Sequence, residues 1–454
     1  MSSYTRRDFI RRSAVGAAGL GLFLNGKSVP LEASPTIPQP ARPADRVNVG
    51  FIGTGIRGNY LMEATKKTGQ ANLVAACDCY QGFLERAKER TDGKIDTIFA
   101  QYKKLLDRKD IDAVIIATPD HWHVPMVLDA LAAGKDVYIE KPMTHTMEEG
   151  PKVIEAAKRS DRVLQVGSQW ISGPQHLKAK EIVASGKLGQ ITKIVVAYNR
   201  NSSSGAWNYP IPPDLKEGVN FNWEEWLGRA PKRPFDPERA FRFRKYWDYS
   251  GGIATDLFVH LINSIHFIMG ANMPASVTAI GGIMRWKDGR EVPDSLDALF
   301  EYPEGFHVYM GCTMNNSGGQ GQGFQLLGTE GTLNMALGGN MTFLAEEHRE
   351  AFPLDHFPLR LQEELMSVGN RRLERDPSLR PKRTYEAAIT YNNEGPDSVV
   401  LHLVNFFECV RSRERTIEDA EVGHRAAAAG HMVNLAYRSG KKVYWDASTG
   451  TVKS

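Results

Sequence analysis

Asp256 and His260 lie four residues apart in GGIATDLFVHLIN (251–263), a spacing that puts both on one face of a helix. Ile253, Leu257, Phe258, Val259, Leu261 and Ile262 surround them. A carboxylate and an imidazole in such a helix are costly to bury unless they are paired or used. Imidazole is also the side chain whose ordinary pKa suits proton transfer near neutrality. A second locus is YIEKPMTH, where Glu140, Lys141 and Pro142 end an apolar strand. Parallel sheets bind ligands at the carboxyl ends of their strands. A third is VGFIGTGIRG, with Gly53, Gly55 and Gly58 in the pattern G-x-G-x-x-G and Thr54, Ile56 and Arg57 between them. It follows a strand and opens a helix, the context in which such glycines make a tight turn and let backbone N–H groups meet a pyrophosphate. The next strand ends in Asp78, 25 residues after Gly53. A carboxylate there binds ribose hydroxyls and repels a 2′-phosphate, which favours NAD over NADP. A lysine close to the nicotinamide of such a cofactor can orient a substrate hydroxyl and polarise its oxygen.

These residues need a scaffold, and the chain supplies an alternation. VNVGFIG, NLVAACD, DAVIIATP and DVYIEKP read as strands, and the segments between them, such as LERAKERT and VPMVLDALAAG, read as helices. This spacing predicts a parallel sheet with right-handed crossovers over residues 47–166. Beyond about residue 190 the pattern changes to KIVVAYN, SVTAIGGIM, SLDALFEYP and FHVYMGCTM, strands with few helices between them. The expectation for 167–446 is an α+β domain with a mostly antiparallel, open sheet. Residues 345–395 read as an insertion or long loops, and Val399 to Tyr437 as helical again. The C-terminal helices are expected to pack back on the first domain.

GFIGTGIRG, ATPDHWH and EKP, in this order and spacing, resemble the Gfo/Idh/MocA oxidoreductases. The resemblance continues through GKLGQI, GGIATDLFVHLIN and GHRAAAAGHMVNLAYRSGKKVYWD. It implies an N-terminal Rossmann domain and an NAD(P)-dependent activity on a sugar, glycoside or cyclitol hydroxyl. It also implies Lys141 in the site, Thr118, Pro119 and Glu140 near the cofactor, and His123 near the nicotinamide ribose. With Lys141, the Asp256-x-x-x-His260 element would complete the catalytic group. His260 would take the hydroxyl proton, Asp256 would fix its tautomer, and Lys141 would stabilise the alkoxide. Tyr246 and Trp247, just before that helix, are the substrate candidates, with Gln169 and Trp170 behind them. His121 and His123 also invite a metal reading, but hydride chemistry needs no metal. A homo-oligomer built on the open sheet face is a family expectation. Two rivals remain. One is a redox-neutral, NAD-dependent glycosidase of the same superfamily; the known examples lack the Glu-Lys-Pro lysine. The other is a non-catalytic NAD- or sugar-binding protein.

The chain begins MSSYTRRDFIRRS, and TRRDFIR resembles the twin-arginine export signal. The apolar run Ala14–Leu24 is 11 residues long, short of the roughly 20 a membrane span requires. The expected organisation is a signal over 1–33, a proline-rich linker over 34–46, and a periplasmic or otherwise exported enzyme. Residues 1–33 carry five basic and two acidic side chains, which accounts for the whole formal charge of +3. The near-neutral remainder favours neither nucleic acid nor a membrane surface. Export of a folded protein would let NAD load first and travel tightly bound. The four cysteines make no zinc spacing and no disulfide framework.

Overall fold

The computed structural model describes residues 36–318, 322–337, 339–346, 356–365, 389–392 and 395–453. The arginine pair at the N-terminus and most of 345–395 lie outside the described residues. Of the linker, Ala41 donates its N–H to Gly69 O, and Gln39 O accepts from Gln70 Nε2.

The first domain is built on a six-stranded sheet: β1 (Val47–Ile52), β2 (Ala71–Asp78), β3 (Asp96–Phe99), β4 (Ala113–Ile116), β5 (Asp136–Glu140) and β6 (Leu164–Gly167). The order is β3-β2-β1-β4-β5-β6 and every pairing is parallel. The central strands are apolar throughout because helices cover both faces; β4 is buried at all four positions. Helix α1 (Ile56–Thr68) follows β1 directly and ends at Gly69 in the left-handed conformation, φ 64°.

The second sheet has ten strands: β7 (Ile191–Ala197), β8 (Ser276–Gly282), β9 (Ser295–Tyr302), β10 (Phe306–Thr313), β11 (Gly323–Gly328), β12 (Gly331–Met335), β13 (Met341–Ala345), β14 (Ile389–Tyr391), β15 (Val443–Asp446) and β16 (Thr451–Val452). Their order is β14-β13-β12-β11-β7-β10-β9-β8-β15-β16, antiparallel except for the β7–β10 pair. In β9 the side chains alternate: Leu296, Ala298, Phe300 and Tyr302 enter the core, while Asp297, Leu299 and Glu301 face outward. Ile280 and Leu299 are exposed on that outer face.

Three helices fill the space around the two sheets, and one of them, the last, touches both domains. The helix α2 (Val259–Met269) packs its apolar residues into the second-domain core together with α4 (Ala420–Ser439). Between them in sequence, α3 (Ser398–Ser412) buries Val399, Leu403, Phe406 and Phe407 against Val49, Phe51 and Leu61 of the first domain. At Gly423 on α4, a Cβ would sit 2.4 Å from Val166, so glycine permits the close contact with β6. Among the described residues no helix is long and apolar enough to cross a membrane.

Candidate active site

The glycine-rich turn has the shape a dinucleotide needs. Gly53 adopts φ 86°, and a Cβ there would meet Ala117 O at 2.6 Å. A Cβ on Gly58 would fall 2.1 Å from Gly53 O, so this glycine lets the helix seat on the strand. At Gly55, the residue that opens α1, a Cβ would press on the Phe83 ring at 3.3 Å. Ile56 is exposed there. The Asp78 carboxylate takes the N–H of Thr54 at 2.7 Å and that of Tyr80 at 3.0 Å. Burial pushes its pKa up, and those N–H groups oppose the rise. Thr118 and Pro119 follow β4 on the same edge, with Thr118 Oγ1 buried and unpartnered. These residues fit NAD: a helix N-terminus with no side-chain cap for the pyrophosphate and a carboxylate for the ribose.

The candidate catalytic residues stand beside the glycine-rich turn, at the end of β5. Lys141 Nζ donates to Asp256 Oδ1 at 2.7 Å and to the Asp256 carbonyl at 2.6 Å. Arg244 Nε donates to the same Oδ1 at 3.0 Å. Burial opposes ionisation of Asp256, but the two cations outweigh it and hold the carboxyl far below its usual range. His260 stacks on Trp170, ring centroids 4.9 Å apart. Burial, reinforced by Lys141, drives the His260 pKa well down, so the ring is neutral at neutral pH. Its Nδ1 is buried without a hydrogen-bond partner.

This corrects the expected Asp256–His260 pairing. The helix is not regular at Asp256: Ala254–Phe258 is a π-helical turn, and His260 follows in the first turn of α2. The widened turn breaks the i, i+4 alignment, and Asp256 points its carboxylate to Lys141 and Arg244 instead. Asp256 therefore orients cations, and the ring of His260 is oriented by stacking.

Other candidates also move. Both nitrogens of His123 face backbone carbonyls, Pro142 O at 2.6 Å and Thr118 O at 2.9 Å, and the ring is 1% exposed. It ties the ends of β4 and β5 together rather than facing a ribose. His121 Nε2 faces Trp226 O at 3.1 Å. Among the described residues, no group of His, Cys, Asp or Glu is arranged to hold a metal. Glu140 is buried and paired with Arg57 at 2.7 Å. Gln169 Oε1 accepts from Arg57 Nη2 at 3.1 Å. Tyr246 lies buried beneath Arg239 in an aromatic cluster, and the Trp247 indole N–H donates to Glu291 O. The residue of that segment that reaches the reactive group is Arg244. The Arg-rich stretch FRFRKYW signalled it, but an exposed arginine and a site arginine look alike in sequence.

A further element was not legible. Residues 214–228, inserted between β7 and α2, cross the carboxyl edge of the first sheet. At the β2 end, Asn222 N–H bonds Cys79 O and Gln81 N–H bonds Asn220 O, each at 2.9 Å. Tyr80 Oη donates to Asp214 Oδ1 at 2.6 Å. At the β4 end, Trp122 Nε1 donates to Trp226 O at 2.7 Å. Tyr80, Phe221, Trp223 and Trp226 are all buried in one aromatic cluster along this strap.

Residues 47–168 match the family model described as the Gfo/Idh/MocA oxidoreductase family, NAD-binding Rossmann fold, and residues 228–334 match the Gfo/Idh/MocA C-terminal domain. Among curated proteins the chain is similar to a glycosyl hydrolase family 109 protein of Shewanella baltica (strain OS185). The identity is 32% over 215 residues, covering 44% of this chain and 46% of that protein. It is also similar to an alpha-N-acetylgalactosaminidase of Shewanella oneidensis, 30% identical over 233 residues, or 46% of this chain and 50% of that one. The chain spans about half the length of the curated relatives it matches. Of solved structures, levoglucosan dehydrogenase in complex with NADH and levoglucosan has a TM-score of 0.64 at 17% identity, covering 88% of this chain and 99% of that one. An aldose–aldose oxidoreductase from Caulobacter crescentus has a TM-score of 0.62, also at 17% identity and over the same shares. At these identities the likeness is one of fold.

Proposed function

The chain belongs to the Gfo/Idh/MocA family, and from that premise we propose that it is an exported, NAD-dependent oxidoreductase of sugar, glycoside or cyclitol hydroxyls that keeps its cofactor bound. The observation that carries the reading is the convergence of Lys141, Asp256, Arg244 and His260 beside the glycine-rich turn.

Each residue has a task its geometry allows. His260 is neutral and so able to accept the hydroxyl proton. Lys141, charged and fixed by two bonds to Asp256, stabilises negative charge growing on the substrate oxygen. Asp256 holds Lys141 and Arg244 in place, and Trp170 fixes the plane of the His260 ring. Gly53, Gly55, Gly58, Asp78 and Thr118 line the cofactor cleft. A bound NAD supplies the hydride acceptor. The strap over residues 214–228 supports retention, since it is bonded to the chain on both sides of the cleft.

A second reading is favoured by the curated relatives, which are named as glycosidases. On that reading the same residues serve oxidation, elimination and re-reduction with no net redox change. One experiment separates the two: absorbance near 340 nm is followed while a panel of glycosides and cyclitols is added, and leaving-group release is assayed in parallel. Net reduction without release supports the dehydrogenase; release without net reduction supports the glycosidase. In either assay His260→Ala should lower turnover by about 10²–10⁴. Near-normal turnover in a folded His260→Ala protein removes His260 from the mechanism.

A further inference from the structure

Arg57 sits in the glycine-rich turn, where a basic residue would be read as a phosphate ligand, yet its guanidinium is committed elsewhere. Nε donates to Glu140 Oε1 at 2.7 Å and Nη2 to Gln169 Oε1 at 3.1 Å. Both acceptors adjoin the reactive group. Glu140 precedes Lys141, whose Nζ is held by Asp256. Gln169 precedes Trp170, whose indole stacks on His260. Glu140 has little room to turn away: it is 4% exposed, and its Oε1 would lie 2.8 Å from a Cβ on Gly167, its neighbour across the β5–β6 pairing. A guanidinium is planar and presents its donors in a rigid fork, so satisfying two acceptors at once fixes their separation.

We propose that Arg57 is a positioning residue. It fastens the end of β5 and the 169–172 turn to the cofactor loop, so that Lys141 and His260 converge on one substrate oxygen. Although Arg57 belongs to the glycine-rich loop, its donors are spent on Glu140 and Gln169, so the placement of Lys141 and His260 depends on this side chain while the hold on the dinucleotide does not. The proposal rests on the dehydrogenase reading for what the positioned groups do, not for the contacts themselves.

The test uses the full-length enzyme and its Arg57→Met, Arg57→Lys and Gln169→Met variants. NADH affinity of nucleotide-stripped protein is measured by fluorescence, and turnover is measured at saturating NAD and substrate. Arg57→Met should keep NADH affinity within about threefold while saturated turnover falls about 10²-fold, the scale of an ångström-sized misplacement. Arg57→Lys should recover part of the loss, since an ammonium can pair with Glu140 but lacks the fork that also holds Gln169. Gln169→Met should fall in the same direction by less. A tenfold or greater loss of NADH affinity with wild-type turnover at saturation would overturn the proposal and make Arg57 a phosphate ligand. Wild-type values for both quantities would overturn it as well. If the wild type oxidises no compound, the functional reading fails separately, and the positioning claim is still read from Trp170. Emission isolated by subtraction of Trp170→Phe should become more accessible to acrylamide when Arg57 is replaced. Unchanged access would contradict the claim.

Discussion

The carboxylate of Asp256 is shared by Lys141 and Arg244, and this leaves His260 to be held by a ring stack alone. The Asp256 anion favours the charged form of His260 from nearby, but burial and the Lys141 cation outweigh it. The depressed pKa of His260 keeps it neutral as the pH falls below the ordinary histidine range. A second buried group titrates in the opposite direction. Glu418 is 0% exposed, its Oε2 accepts the Ser168 N–H at 3.2 Å, and burial pushes its pKa up to about 8. The folded state therefore holds this proton up to about pH 8, whereas an unfolded chain releases it near the ordinary carboxyl value. The stability this supplies is complete below that ordinary value and is lost as the pH rises through about 8. Glu418→Gln keeps an acceptor for Ser168 without the charge, so its melting temperature relative to wild type should climb from pH 5 to about pH 8 and level off above it. A constant difference across that range would show that Glu418 does not titrate as described. Sequence exposed Lys141, Asp256 and His260 because charged residues in apolar runs are conspicuous. It hid the pairing among them, because a π turn leaves no mark in residue spacing. Tyr246 shows a related ambiguity: aromatic residues suited to sugars are equally suited to a core, and this one is buried in an aromatic cluster.

At the scale of elements, the proposed retention of the cofactor places its gate at the strap. The turn after β2 carries Asp78, and the strap bonds to Cys79, Tyr80 and Gln81 immediately beyond it. On the proposed reading, a nucleotide seated on Asp78 leaves by opening these contacts. Tyr80→Phe and Asp214→Ala each remove the Tyr80–Asp214 bond, worth about 1.5–3 kcal/mol for a hydrogen bond to a charged group. Buffered by exposure at Asp214, the effect on NADH dissociation should be an increase of about 3–30-fold, read by stopped-flow displacement, with saturated turnover little changed. An unaltered off-rate in both variants would mean that the strap does not gate the site. The alternating strands and helices of the first domain were legible because each has a clear period. The strap was not, because residues 212–222 have turn chemistry and no periodicity, and only the fold shows which edge they cross.

For the molecule as a whole, two sheets share one cleft and the C-terminal helices bind the layers into a unit. Helix α3 closes the back of the first domain, while α4 spans from β6 to the second-domain core. Such an arrangement suits an enzyme that loads its cofactor while folding and then keeps it. That is the condition under which an arginine-pair leader makes sense, since little free NAD awaits an exported protein. The arginine pair lies outside the described residues, and retention of the cofactor is measured on the protein itself. Enzyme purified without added nucleotide is denatured, and the released NAD and NADH are quantified against protein. The account predicts close to one nucleotide per chain, reducible by a glycoside or cyclitol before denaturation. An empty site that refills only weakly, with turnover solely when NAD is supplied in solution, would contradict it.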